Sequence, residues 1–81
     1  MQIRFLLFAT YRDLTGVSEG ALDLPAGSTA GAAVAALRAR GAPWSTLPDR
    51  PVVAVNAEYA RLDRALDDGD ELALLPPVAG G

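Results

Sequence analysis

The chemistry this sequence can offer is concentrated in its last residues. The run Leu75-Pro76-Pro77-Val78-Ala79-Gly80-Gly81 closes on two residues without side chains. A carboxylate at Gly81 would stand on backbone narrow enough to enter a tight tunnel and to be approached closely by another protein's groups. Pro76 cannot donate to a β-ladder and drives Leu75 to extended geometry, so a strand reaching Leu75 must stop there. Two prolines in series stiffen the exit toward polyproline II and aim the tail away from the body. Six residues from Pro76 span on the order of 20 Å when extended. The expected functional feature is therefore the tail: Gly81 as the reacting end, with Pro76, Pro77, Val78, Ala79 and Gly80 as the segment inserted into a partner's pocket.

The absences sharpen this reading. The 81 residues contain no His and no Cys, and all seven basic residues are Arg. The chain thus lacks an imidazole base, a thiolate nucleophile, a Schiff-base amine and the usual zinc and haem ligands. It is expected to act as a substrate or carrier, with catalytic groups supplied by others. A net charge of −3 argues against a nucleic-acid binder. No apolar run approaches the roughly 20 residues that cross a bilayer, and no basic region precedes an apolar one, so neither a membrane segment nor a secretory leader is expected. With 51% hydrophobic and 21% charged residues, the composition is that of one small globular domain, expected in the cytoplasm.

Several elements must position this tail. Gln2 to Ala9 alternates, with Ile3, Phe5 and Leu7 on one face and Leu6 and Phe8 on the other, which predicts a strand. A single helical turn around Tyr11, Arg12 and Leu14 is expected before Gly16. Val17 to Leu24 reads as a second strand weakened by Gly20. Ser28 or Thr29 caps a helix to about Arg40, stopped by Gly41, with Ala30, Ala33, Val34 and Leu37 as its buried stripe. Gly31 costs that helix up to about 1 kcal/mol relative to Ala. Pro43 to Arg50 is an irregular connector anchored by Trp44 and Leu47. Pro51 to Asn56 is a β-branched strand, Asn56-Ala57-Glu58 a turn, and Tyr59 to Leu62 a short edge strand. Leu66 is an inward anchor, Asp67-Asp68-Gly69-Asp70 a tight turn, and Glu71 to Leu75 the last strand.

A helix laid across one face of a mixed sheet suits this order and length. The expected fold is α+β, a β-grasp (ubiquitin-like) roll of four to five strands with one main helix, occupying residues 1–75 and leaving 76–81 as the tail. A ferredoxin-type sandwich would need a second full helix.

Leu66-Asp67-Asp68-Gly69-Asp70-Glu71-Leu72, the Pro-Pro-Val and Gly-Gly ending, the opening Phe8-Ala9-Thr10-Tyr11-Arg12-Asp13-Leu14-Thr15-Gly16 and the central Val55-Asn56 together resemble the small-subunit family of molybdopterin synthase, over the full length. The resemblance implies a sulfur carrier. Gly81 would be adenylated with ATP by an E1-like activating enzyme, and a sulfur donor protein would displace AMP to leave a thiocarboxylate. The tail would then enter the large synthase subunit, within a heterotetramer, and deliver sulfur to a cyclic pyranopterin phosphate in molybdenum cofactor synthesis. No cofactor would be bound by the chain itself; ATP would be used by the activating partner. Carriers for thiamine, cysteine or tRNA thiolation share the Gly-Gly end, and an inert β-grasp interaction module is the reading from another class. Without lysine, the chain offers no side-chain amine on which a ubiquitin-type modifier could build chains of itself.

Strand phases suggest where partners dock. If the first and last strands are neighbours, Phe8 and Leu75 share an outer apolar patch beside the root of the tail, and Tyr59 could extend it. The competing expectation is a second minor core closed by the loop around Trp44. Asp67, Asp68, Asp70 and Glu71 read either as ordinary turn chemistry or as an electrostatic contact with partner arginines, with Asp68, Asp70 and Glu71 as the candidates. The turn lacks the later bidentate Glu of an EF-hand loop, so no metal is expected there.

Overall fold

The computed structural model describes residues 1–77. The elements in order are β1 (Gln2–Leu7), α1 (Ala9–Thr15), β2 (Glu19–Asp23), α2 (Ala30–Arg38), a 3-10 turn at Trp44–Thr46, β3 (Val52–Val55), β4 (Glu58–Ala60) and β5 (Glu71–Leu75). The five strands form one mixed sheet in the order β2-β1-β5-β3-β4. β1 and β5 run parallel at its centre, and every other pair is antiparallel. This is the ubiquitin-like β-grasp roll, with α2 across one face.

Alternation decides which side chains the helix covers. Ile3, Phe5 and Leu7 of β1, Leu72 and Leu74 of β5, and Val53 and Val55 of β3 are all buried. They meet Ala30, Ala33, Val34 and Leu37 of α2, which retain no exposed area. Each Leu, Ile or Phe buried in this way contributes about 1.5–3 kcal/mol of transfer free energy. Leu47 and Leu66 join the same core from outside the strands and helices. Among the described residues no helix is long and apolar enough to cross a membrane.

Helix ends follow local chemistry. The Thr29 hydroxyl accepts the Ala32 N–H at 3.1 Å, capping α2. Gly31, expected only as a cost, has a use: its N–H donates to the Leu62 carbonyl at 2.8 Å, and a Cβ there would lie 3.1 Å from that oxygen. The glycine thus lets the helix start press against the 61–65 segment. α2 stops at Arg38, earlier than the expected Arg40, and Gly41 takes φ 85 just beyond.

Other boundaries shift for identifiable reasons. β1 ends at Leu7, short of Ala9, because Ala9 turns left-handed at φ 46 and opens α1, a seven-residue helix where a single turn was expected. Gly16 ends α1 at φ 74. β2 begins at Glu19, later than Val17, and the Ser18 carbonyl accepts the Leu7 N–H at 2.8 Å. β4 covers Glu58–Ala60 instead of Tyr59 to Leu62, because a two-residue turn with Asn56 at φ 51 and Ala57 at φ 69 sets the pairing Val55↔Glu58. Gly20 sits opposite Phe5, and a Cβ on it would lie 2.7 Å from the ring's Cζ. The strand gives up a side chain there to seat an aromatic.

Candidate functional site: an apolar groove at the root of the tail

The sheet face turned away from α2 is built by the same alternation that fills the core. Register places Leu6 beside Ala73, Ala73 beside Ala54, and Ala54 beside Tyr59, in one row across four strands. One step along the strands, Val52 is paired with Leu75, and Phe8 follows Leu7 just beyond the last β1–β5 pair. The small alanines between larger neighbours leave a groove of about 350 Å³, whose rim includes Phe8, Leu75, Tyr59 and Glu71. Of the four large apolar side chains exposed among the described residues, three are on this face: Phe8 at 43%, Val52 at 53% and Tyr59 at 81%. These exposed apolar side chains therefore gather on one face of the sheet.

The structure therefore brings Phe8, Tyr59 and Leu75 together. Trp44 does not cover them. Its ring meets Phe5 edge-on at 5.9 Å on the helix side, with the Arg40 guanidinium 4.6 Å from its centroid. The second minor core considered from the sequence is not formed by this loop.

The root of the tail adjoins the groove. β5 ends at Leu75, directly before half-buried Pro76 and exposed Pro77. Val78, Ala79, Gly80 and Gly81, to which the sequence assigns the chemistry, lie outside the described residues.

The acidic turn divides by role. Asp70 is buried: its carboxylate accepts the Asp67 N–H at 2.8 Å and the Asn56 side-chain amide at 2.9 Å, with Arg64 at 3.7 Å. The Asp67 N–H, then the Asn56 amide, then Arg64 stabilise its charged form and hold its carboxyl below the usual carboxylate range. Asn56 in turn accepts the Glu71 N–H at 3.0 Å, so Asn56 and Asp70 staple the β3–β4 turn to the start of β5. Asp70 is thus tied chiefly to Asp67 and Asn56, and little of it is left exposed. Asp68 accepts the Gln2 N–H at 2.7 Å yet remains exposed. Glu71 stands at the rim of the groove, facing the same side as Arg4, which pairs with Glu19 at 2.7 Å. An exposed pair of that kind contributes only about 0–1 kcal/mol.

Sequence reasoning missed Val52, Ala54 and Ala57 on this face and the Asn56–Asp70 staple. The strand period signals Val52 and Ala54, whose positions alternate with buried Val53 and Val55. Nothing local signals the staple, since its partners are 14 residues apart.

Residues 5–81 match the ThiS family. The chain belongs to it. Relatives share its length as well as its pattern. The molybdopterin synthase sulfur carrier subunit of Arabidopsis thaliana is 36% identical over 100% of this chain and 84% of its own. That of Escherichia coli K12 is 39% identical over 98% and 99%. Among solved structures, the small archaeal modifier protein 1 of Haloferax volcanii superposes with a TM-score of 0.73 at 34% identity, covering 95% of this chain and 98% of that one. This ThiS-family chain is thus homologous to molybdopterin synthase sulfur carrier subunits along its whole length.

Proposed function

We propose that this chain is the sulfur carrier of a molybdopterin synthase, loaded at Gly81 and docked through the groove. The observation that carries the proposal is a strand that runs past an exposed apolar groove straight into Pro76-Pro77 and the Gly-Gly end, in a chain without Cys, His or Lys. The full-length relatives support it.

Sulfur transfer from a carboxylate needs activation, because the charge is delocalised and the leaving group poor. An E1-like enzyme joins a Gly81 oxygen to the α-phosphorus of ATP, releasing pyrophosphate. The terminal sulfur of a donor protein's persulfide then attacks the acyl carbon, and AMP departs. A second thiol of the donor attacks the inner sulfur of the resulting acyl disulfide, closing a disulfide on the donor and releasing the outer sulfur on Gly81. The product is a thiocarboxylate, a soft nucleophile on a tail without bulk. The large subunit receives it, and two deliveries supply the dithiolene sulfurs, matching a heterotetramer. The chain contributes position alone: Phe8, Leu75 and Tyr59 anchor the body, and Pro76 and Pro77 set the exit direction.

Removing Gly81 tests this. In a reconstituted synthase, the shortened chain is expected to fold with an unchanged circular-dichroism spectrum and to transfer no sulfur; retained transfer would overturn the proposal. A second reading, a protein modifier, is favoured by the likeness to the archaeal modifier protein. It is distinguished by amide conjugates of Gly81 on other proteins' lysines.

A further inference from the structure

The β3–β4 turn carries two left-handed residues, Asn56 at φ 51 and Ala57 at φ 69. Asparagine tolerates this region. Alanine does not, because its Cβ crowds the following carbonyl, and glycine is the residue such a turn favours at its second position. The interior has no use for the methyl: Ala57 is exposed and stands apart from the core cluster. What it does line is the groove, beside Tyr59 and Glu71. Non-glycine residues held in such regions persist where the surrounding structure over-determines them, and they cluster at binding and active sites.

We propose that Ala57 is a specificity-determining contact of the groove, its methyl meeting an apolar side chain of the large synthase subunit. This rests on the docking role proposed above. Ala54 and Ala73 lie between Leu6 and Tyr59 in the row across the sheet, and Ala57 lines the same groove with Tyr59 and Glu71. The strain in the turn is kept for this contact.

The test is calorimetric binding of the full chain to the purified large subunit, paired with denaturant unfolding of each variant. Ala57→Gly is expected to raise the unfolding midpoint and to weaken binding about three- to four-fold, the share of one buried methyl. Ala57→Asn, which also tolerates the left-handed region, is expected to unfold no earlier than the parent and to weaken binding at least about ten-fold by burying an amide in the groove. Stability and affinity moving in opposite directions is a result that a purely structural role does not produce. A lower midpoint for Ala57→Gly, or unchanged affinity in both variants, overturns the inference. Tyr59→Ala separates the two levels. If it weakens binding while the Ala57 variants do not, this inference alone fails; if it too leaves binding intact, the docking role of the groove fails with it.

Discussion

Truncating Phe8 probes the groove most quantitatively, because the covered and exposed shares of its ring predict separate effects. A phenylalanine buries roughly 150–250 Å² when fully covered. With Phe8 43% exposed, roughly 90 Å² remains for a partner to cover, worth about 2 kcal/mol at about 25 cal/mol per Å². Part of that gain is offset on association, so Phe8→Ala is expected to weaken binding to the large subunit by about 1–2 kcal/mol, roughly five- to thirty-fold in Kd. The share of the ring already covered in the free chain predicts a separate loss of stability, on the order of 3 kcal/mol. Binding is therefore measured by titration calorimetry well below the variant's melting temperature, with circular dichroism confirming the folded state. A folded Phe8→Ala chain that binds with parental affinity would refute the assignment of this face to docking.

Two further predictions concern what holds the groove in place. Gly20→Ala sets a Cβ 2.7 Å from Cζ and 2.8 Å from Cε1 of Phe5, a ring that is buried in the core and meets Trp44 edge-on. Overpacking of about 1–3 kcal/mol outweighs the roughly 0.4–1 kcal/mol gained through the unfolded chain. The melting temperature should fall by about 5–10 °C, and an unchanged or raised value would contradict the packing described. Asp70→Ala removes the acceptor of the Asp67 and Asn56 hydrogen bonds and is expected to cost about 1–3 kcal/mol at neutral pH. Because the folded-state pKa of Asp70 is depressed, its contribution is complete above the unfolded carboxylate value and is lost as pH falls through the folded one. The stability gap between parent and variant in urea should therefore narrow below about pH 4; a gap that stays constant down to pH 3 would assign the effect to something other than the ionised carboxylate.

Period and punctuation made much of this architecture legible. Ile3, Phe5 and Leu7 announce their strand and its buried face, and the spacing of Ala30, Ala33, Val34 and Leu37 announces the helix that covers it. Gly16, Gly41 and Pro76 mark where elements stop. Phe8 and Leu75 could be placed side by side because both follow from the phase of strands expected to be neighbours. What escaped depends on register between strands distant in sequence. Gly20 looks like a weakness until Phe5 is seen opposite it, and Asp70 looks like a surface charge until Asn56 arrives from another turn. Ala57 escaped because alanine carries no sign of a left-handed backbone; only the two-residue turn forces it there.

The most direct test of the carrier role is intact-protein and C-terminal-peptide mass spectrometry of this chain, incubated with its activating enzyme, ATP and a sulfur donor protein. The expected result is a mass increase equal to one sulfur replacing one oxygen, located on Gly81 and dependent on ATP. A chain that stays unmodified with all three present and active, or that gains sulfur at any other residue, would contradict the assignment of the chemistry to its final carboxylate.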